Sequence, residues 1–204
     1  MVTVIDYDAG NLRSVETALR HLGATFTVTA DPGVVADADR VILPGVGDAR
    51  AAMERLDGAN LTGALVDVVR RGVPFFGICL GTQIILDRSE ENDARCLGIL
   101  PGVTRRFEKR QGRKIPHIGW NTIEVVREHP IIAGIPDNAS FYFVHSYYPD
   151  PADAGDVVAR TDYEGTFPSV LARDNVVATQ FHPEKSGEFG LKMLANFLSW
   201  SGGA

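Results

Sequence analysis

Short apolar runs alternate with helix-like stretches through the first half of the chain. Four runs bounded by turn residues are predicted to be strands: residues 2–6, 24–29, 40–43 and a run that begins at residue 74. Three stretches with apolar residues every three or four positions are predicted to be helices: residues 12–22, 48–56 and 61–71. Strands that alternate with helices of this length form βαβ units, so we expect a mostly parallel sheet covered by helices.

The alternation fades in the second half, and β-rich segments take its place. Seven further strands are predicted: residues 103–108, 113–118, 122–126, 140–148, 157–161, 169–172 and 176–181. An amphipathic helix is predicted at residues 188–200. Because no repeat, low-complexity tract or linker divides the chain, we expect a single domain over residues 1–204, with an antiparallel extension in its second half.

A basic turn separates the predicted strands at residues 103–108 and 113–118. Between residues 105 and 114 six lysines and arginines stand against one acid, Glu108. We interpret this segment as a solvated hairpin, with a docking patch for an anionic ligand or partner as the alternative.

Composition narrows the class of protein. The 204 residues are 45% hydrophobic and 23% charged, close to the average of soluble globular proteins. The net charge of −6 offers nucleic acid or an anionic membrane no attraction. Two cysteines without a disulfide framework indicate a reducing compartment, and no apolar run approaches the length of a membrane span. We expect a cytoplasmic protein with neither nucleic acid nor membrane as partner.

The apolar run at residues 74–83 ends in a cysteine with a glycine two residues away on either side. Gly77, Cys79 and Gly81 form the Gly-x-nucleophile-x-Gly pattern of a strand–turn–helix elbow, with Cys in place of Ser. The glycines relieve crowding at a sharp turn because they lack Cβ. A helix over residues 80–86 would direct its N-terminal N–H groups at the sulfur and favour the thiolate. The alternative is a buried structural cysteine at the end of a core strand.

A cysteine nucleophile needs a base and a group that orients the base. Among the five histidines, His182 ends the strand at residues 176–181 and is followed by Pro183 and Glu184. Positions i and i+2 of an extended segment point to one face, so His182 and Glu184 are predicted to project together, on the sheet edge that carries Cys79. We interpret the three residues as a catalytic triad rather than His182 and Glu184 as a strand-ending turn.

Acyl transfer also needs N–H donors where negative charge develops. The Pro-Gly-Val-Gly sequence at residues 44–47 follows a strand, and its glycines let the backbone approach a ligand. The backbone N–H groups of Gly47 and Leu80 are therefore candidate oxyanion donors. The loop lacks the Lys-Ser/Thr of a P-loop, which disfavours phosphate binding, and no residue cluster has zinc-site spacing, so no metal is expected.

These motifs resemble those of the class I glutamine amidotransferases, which use a Cys–His–Glu triad. The stretches that carry this resemblance are residues 44–47, 77–83 and 182–184. Four more stretches, residues 6–11, 116–121, 142–148 and 181–187, resemble the glutaminase subunits of imidazole glycerol phosphate synthases from histidine biosynthesis. The resemblance covers nearly the whole chain. It implies a three-layer, flavodoxin-like α/β fold with an antiparallel extension, and no cofactor.

The resemblance also implies roles for individual residues. Cys79 would attack the side-chain amide of glutamine to form a thioester, His182 would pass a proton to the leaving ammonia, and Glu184 would orient His182. Two further sets follow from matching positions: glutamine contacts at Gln83, Glu91, Ser146 and Tyr147, and partner contacts at Asn11, Tyr142 and Lys185.

The implied partner is a cyclase subunit with a barrel fold, joined to this chain in a heterodimer. It would use the ammonia to form imidazole glycerol phosphate and an aminoimidazole carboxamide ribotide. Two alternatives stay open: the glutaminase subunit of a different synthase, and a non-catalytic binding module on the same fold. Only residues 116–121 and 142–148 argue for histidine biosynthesis, whereas the intact triad argues against a non-catalytic module.

Two positions depart from the family pattern. Asp8 stands where glycine is usual, and aspartate tolerates a positive φ better than most residues. Thr82 stands where methionine is usual, next to the elbow, where a change in packing is expected without loss of a catalytic group.

Overall fold

A computed structural model describes residues 1–9, 11–109 and 114–203 of the chain. Its strands are β1 (Val2–Ile5), β2 (Phe26–Thr29), β3 (Arg40–Gly45), β4 (Phe75–Cys79), β5 (Arg88–Ser89), β6 (Ala94–Arg95), β7 (Gly102–Arg106), β8 (His117–Thr122), β9 (Glu124–Val125), β10 (Ser140–His145), β11 (Tyr147–Pro151), β12 (Val157–Asp162), β13 (Thr166–Arg173) and β14 (Val176–Thr179). Its α-helices are α1 (Leu12–His21), α2 (Pro32–Ala36), α3 (Ala49–Gly58), α4 (Leu61–Arg70), α5 (Leu80–Ile84) and α6 (Gly187–Ser199). None of the helices within these described ranges is long and apolar enough to span a membrane.

An eight-stranded sheet forms the centre of the molecule, in the order β2-β1-β3-β4-β14-β13-β12-β9. The first five strands are parallel, in the order of a flavodoxin-like sheet. Strands β13, β12 and β9 continue the sheet in antiparallel pairs. The predicted parallel sheet with an antiparallel extension is therefore confirmed.

Helices cover both faces of this sheet. Neighbouring residues of a central strand, which point to opposite faces, therefore pack into different cores. Ile42 of β3 belongs to the core that contains Phe197 of α6, together with residues of α1. Leu43, the next residue, belongs to the core that contains Leu56 of α3 and Leu65 of α4. These side chains have no exposed surface, which explains why the parallel strands read as continuous apolar runs.

Two smaller sheets lie beside the central one and overturn the predicted hairpin. Strand β8 pairs with β10, whereas β7 pairs with β11 and β5. The strands at residues 103–108 and 113–118 therefore do not pair with each other, because the predicted strand at 140–148 divides at Ser146 and supplies each of them with a different partner. Residues 110–113, the tip of the predicted basic hairpin, lie outside the described residues.

Helix α6 packs without a gap on a 3₁₀ turn at Pro183–Lys185. A Cβ atom added at Gly190 would lie 1.9 Å from the carbonyl oxygen of Pro183 and 2.9 Å from Cβ of Ser186. The helix and the turn approach this closely only because residue 190 has no side chain. Gly190 therefore determines where the turn that follows β14 sits relative to the core.

We predict that Gly190→Ala lowers the free energy of unfolding by about 1–3 kcal/mol, because the added methyl group forces the helix and the turn apart. Gly63→Ala is the matched control, since a Cβ there meets no atom within 4 Å. In α4 that change should raise the free energy of unfolding by roughly 0.5–1 kcal/mol. Urea unfolding followed by circular dichroism measures both, and equal effects would contradict the close packing at Gly190.

Candidate active site

The predicted elbow is present where β4 meets α5. Cys79 has φ 54° and ψ −105°, in a region that residues with a side chain rarely occupy. A Cβ added at Gly77 would lie 3.0 Å from the backbone of Gly81, and one added at Gly81 would lie 2.0 Å from the carbonyl oxygen of Leu43. Both glycines are thus required by close contacts, as predicted, although α5 ends at Ile84, two residues earlier than expected.

Thr82 connects the elbow to β4 and β14 through its hydroxyl group. Its hydroxyl oxygen lies 2.5 Å from the carbonyl oxygen of Thr179 in β14 and 3.1 Å from that of Gly77 in β4. The side chain has no exposed surface. A hydroxyl that donates to either carbonyl links α5 directly to the strands that present Cys79 and His182. Threonine at this position therefore forms a buried hydrogen bond that methionine, which has no donor, could not form.

His182 and Glu184 are in contact just after the end of β14. Nδ1 of His182 lies 2.8 Å from Oε1 of Glu184, and both side chains are 2% exposed. The expected contact is present, but the reason given for it is wrong. Glu184 lies in the 3₁₀ turn Pro183–Lys185 rather than in an extended segment, and the turn rather than strand alternation brings the two side chains together.

Ser186 holds this turn against the neighbouring sheet. Its hydroxyl donates to the carbonyl oxygen of His182 at 2.6 Å and accepts the backbone N–H of Tyr142 at 3.0 Å. The backbone N–H of His182 in turn donates to the carbonyl oxygen of Tyr142 at 3.0 Å. The position of His182 therefore depends on β10 as well as on β14.

The surroundings of His182 favour its protonated form. Burial disfavours the charge, but the charge of Cys79 and the hydrogen bond and charge of Glu184 outweigh burial and raise the pKa of His182. Nε2 is buried and has no fully formed hydrogen bond within the described part of the chain. The attraction to Cys79 is therefore electrostatic in this structure, and Nε2 can exchange a proton with the sulfur or with a bound molecule.

A cavity of about 340 Å³ opens beside Cys79. Its lining residues are Val46, Gly47, Cys79, Leu80, Gln83, Glu91, Pro116, Val144, His145, Ser146 and Tyr147. Every residue predicted to contact glutamine or to supply an oxyanion donor is among them. Sequence reasoning did not identify Val144 and His145, which come from the end of β10, or Pro116, which precedes β8.

Glu91 supplies a carboxylate to this cavity. Its Oε2 atom accepts the backbone N–H of Ala49, at the start of α3, at 2.8 Å. Burial raises the pKa of the Glu91 carboxyl, an effect that the hydrogen bond from Ala49 opposes and the nearby charge of Asp48 reinforces. A cationic group bound in the cavity would relieve this cost and favour the ionised carboxylate.

Gln83 has no free N–H to offer a ligand. Its Nε2 atom donates to the carbonyl oxygen of Tyr147 at 2.9 Å and to Oε1 of Gln180 at 3.1 Å. A side-chain amide carries two N–H donors, and here both are used. Gln83 can therefore act on a bound molecule only through its oxygen, while its nitrogen holds the cavity wall.

The residues expected to face a partner lie close to the turn that carries Glu184. Asn11 lines a surface groove of about 430 Å³ to which Glu184 also contributes. Lys185 follows Glu184 in the same turn, and Tyr142 is bonded to the turn through its backbone. All three side chains are half-buried. The groove thus reaches the triad at Glu184, whereas the cavity reaches it at Cys79.

Two buried histidines form a pair next to the cavity. Nδ1 of His117 lies 2.9 Å from Nε2 of His145, and Nδ1 of His145 donates to the carbonyl oxygen of Tyr147 at 2.7 Å. Burial lowers the pKa of His117 to about 4. Burial also lowers the pKa of His145 to about 3, although the hydrogen bond to Tyr147 opposes the change. Both imidazoles are therefore neutral at pH 7.

Known proteins resemble this chain over nearly its whole length. Residues 3–200 match the model of the family described as glutamine amidotransferase class-I. The imidazole glycerol phosphate synthase subunit HisH of Chloroflexus aurantiacus is 49% identical over 205 residues, which cover 98% of this chain and 96% of that protein. The subunit of the same name from Nitrosococcus oceani is 51% identical over 205 residues, 98% of each chain.

A solved structure shares the fold at lower identity. PurLQS from Thermotoga maritima contains a chain that matches with a TM-score of 0.73 and 23% identity, over 97% of this chain and 96% of that one. At this identity the match supports the three-layer fold alone.

We predict that the buried histidine pair destabilises the protein in acid. Below pH 6.5 the unfolded histidines take up protons that the folded ones, with lowered pKa values, do not, so the free energy of unfolding falls as the pH falls towards 4. His145→Gln should make this fall less steep by up to about 1.4 kcal/mol per pH unit. Urea unfolding at several pH values measures the slope, with His21→Gln, at an exposed position in α1, as the control substitution outside the pair.

Proposed function

This chain belongs to the class I glutamine amidotransferase family, and from that premise we propose that it is the glutaminase subunit of an imidazole glycerol phosphate synthase. It hydrolyses glutamine to glutamate and ammonia and passes the ammonia to a cyclase subunit in histidine biosynthesis. The cyclase forms imidazole glycerol phosphate and an aminoimidazole carboxamide ribotide. The observation that carries the glutaminase chemistry is the 2.8 Å contact between buried His182 and Glu184, next to the strained Cys79.

The first half-reaction forms a thioester. The Cys79 thiolate attacks the side-chain amide carbon of glutamine, and the bond to nitrogen breaks as protonated Nε2 of His182 gives its proton to the leaving ammonia. Glu184 accepts a hydrogen bond from Nδ1 of His182, which keeps Nε2 turned to the reacting atoms and stabilises the imidazolium. The raised pKa of His182 suits this role, because the proton is already on the ring before attack.

Two backbone N–H groups stabilise the negative oxygen of the tetrahedral intermediate. Leu80 supplies one from the first turn of α5, directly after the nucleophile. Gly47 supplies the other from the loop after β3; both residues line the cavity. In a low-dielectric site, such donors contribute several kcal/mol, on the order of 3 for one N–H.

The second half-reaction releases glutamate. His182, now neutral, takes a proton from water through Nε2, and the resulting hydroxide attacks the thioester carbon. The carbon–sulfur bond breaks, and the sulfur leaves as the thiolate from which the cycle began. Each proton that His182 gives to ammonia is thus recovered from the water that hydrolyses the thioester.

Glutamine occupies the cavity with its α-ammonium group near Glu91. A carboxylate whose pKa is raised by burial gains from a bound cation, so this end of the cavity selects for the amino group. Ser146 and Tyr147 form the facing wall at the junction of β10 and β11, and Gln83 offers its side-chain oxygen. The site is therefore built to distinguish a free amino acid from a glutamine within a peptide.

The cyclase subunit, a barrel, forms a cytoplasmic heterodimer with this chain and docks over Asn11, Tyr142 and Lys185. Two large apolar side chains nearby support a docking surface, since Ile118 and Trp120 on β8 are 60% and 59% exposed. Trp120 packs edge-on against Tyr142. A partner bound here covers apolar area and encloses the ammonia, which would otherwise escape to solvent.

We predict that Cys79→Ala lowers the glutamine-dependent activity of the reconstituted synthase by more than roughly 10³-fold, because no thioester can form. Cyclisation supported by added ammonium salt should be unchanged, since the cyclase needs only ammonia. Cys96→Ala is the matched control at the other buried cysteine and should retain both activities. Glutamine-dependent turnover by Cys79→Ala would refute its role as nucleophile.

We predict that the isolated chain is a poor glutaminase, because hydrolysis without an acceptor wastes ammonia. Adding the cyclase subunit with its nucleotide substrate should raise the rate of glutamate formation roughly ten-fold or more. The ammonia-using subunit of a different synthase serves as the control. If that subunit stimulates and the cyclase does not, the chain supplies another pathway, while full activity without any partner would contradict obligate coupling.

A further inference from the structure

Gln180 contacts the sulfur of Cys79, although neither the triad nor the glutamine site includes it. It lies between β14 and His182, and its side chain has no exposed surface. Its Nε2 atom lies 3.9 Å from Sγ of Cys79, within the range of a long N–H···S hydrogen bond. The orientation of this buried amide is fixed by its hydrogen bond to Gln83.

The backbone carbonyl of Tyr147 determines the orientation of Gln180, because Gln83 contacts both of them. The carbonyl oxygen of Tyr147 can only accept, so the atom of the Gln83 amide that lies 2.9 Å from it must be nitrogen. The same nitrogen lies 3.1 Å from the Gln180 amide, so the atom it meets there must be oxygen. The remaining end of the Gln180 amide, its nitrogen, is therefore the one that faces Cys79.

The Tyr147 carbonyl is itself held in place from the other side. Nδ1 of His145 donates to it at 2.7 Å, so both lone pairs of the oxygen are used. Because Nδ1 of the neutral ring carries the proton, Nε2 of His145 accepts from Nδ1 of His117 at 2.9 Å. The side-chain amide of Asn121 completes the series, 3.3 Å from Nε2 of His117. Each contact in this series joins one donor to one acceptor, so the direction of every hydrogen bond in it is determined.

We propose that Gln180 is a further catalytic residue of this site, whose amide N–H donates to the Cys79 sulfur and stabilises the thiolate. Gln83 is its positioning residue, and the proposal rests on the proposed role of Cys79 as nucleophile. A hydrogen bond to the charged form of a group favours that form. The N–H···S distance shortens as negative charge develops on sulfur, since catalytic hydrogen bonds are often long before substrate binds.

The N–H donor of Gln180 acts in both half-reactions. Before attack it raises the fraction of Cys79 present as thiolate, in addition to the effect of His182. During hydrolysis of the thioester it stabilises the same sulfur as the leaving group, when the carbon–sulfur bond breaks and the electron pair returns to sulfur. Its effect is therefore on the ionisation of the sulfur rather than on the affinity for glutamine.

The test measures the ionisation of the Cys79 sulfur directly, in the absence of glutamine. The full chain is alkylated with iodoacetamide over a range of pH, and the rate at Cys79 is followed by mass spectrometry of its peptide. Cys96 is resolved as a separate peptide and reacts slowly, because burial, reinforced by Glu91, raises the pKa of its thiol to about 12. The pH at which the Cys79 rate reaches half its maximum reports the ionisation of the thiol.

Gln180→Leu keeps the volume but removes the donor, so we expect the midpoint to rise by about one pH unit and the rate below the midpoint to fall roughly ten-fold. Gln180→Glu should shift it further, because Oε1 still accepts from Gln83 while the second oxygen faces the sulfur with a negative charge. Ser169→Ala is the matched control: its carbonyl accepts the backbone N–H of Gln180 at 2.9 Å, and its buried hydroxyl has no partner among the described residues.

An unshifted midpoint in a folded Gln180→Leu protein would overturn the proposal, as would an equal shift in Ser169→Ala. If Gln180→Leu does not fold, Gln83→Leu removes the orienting amide instead and should shift the midpoint in the same direction by less. An unshifted midpoint there counts equally against the proposal. These outcomes are separate from the role of Cys79 in turnover, which the Cys79→Ala synthase assay tests by itself.

Discussion

The left-handed backbone of Cys79 depends on how closely α5 packs against β3. At Gly81 the two elements are so close that a single added carbon would lie 2.0 Å from the carbonyl oxygen of Leu43. A residue with a side chain held at φ 54° costs on the order of 1–3 kcal/mol, which the surrounding structure must offset. The elbow lies between β3 and β14, both paired with β4 in parallel register, and Thr82 bonds it to the strands below. The central sheet is therefore what keeps the sulfur at its edge.

The base reaches the nucleophile from a separate turn, and that turn has its own packing constraint. His182 and Glu184 are presented by a 3₁₀ turn that α6 can approach only because residue 190 is glycine. Glycines on two different helices thus set the positions of the two halves of the triad. Since β4 and β14, the strands that lead into the two halves, are paired neighbours in the central sheet, the distance between Cys79 and His182 is determined by the sheet rather than by a local motif.

The elements that follow strict periodicity could be predicted from sequence, and those that depend on a distant partner could not. The parallel strands and the elbow glycines are local signals, because burial on both faces and steric crowding act on each residue separately. The pairing of β7 and β8 is not local, since each of them was free to take a different half of the segment at 140–151 as partner. Helix α2, with five residues, is too short to show a helical period. The contact of His182 with Glu184 was expected from the alternation of side chains along an extended segment, but the 3₁₀ turn produces it.

Gln180 and the pair His117–His145 show a further limit. Each is a polar residue in a strand or at its end, and from sequence it is indistinguishable from a side chain facing solvent. What marks them is burial together with hydrogen bonds to other buried polar groups, and both are properties of the folded chain. A buried amide or imidazole with no hydrogen-bond partner would destabilise the core, and each of these side chains is bonded to another member of the series or to the Tyr147 carbonyl. The last donor in the series meets the sulfur of Cys79, the one group along it whose charge changes in the proposed reaction. Satisfying the polar groups of the core and preparing the nucleophile are therefore a single requirement in this fold.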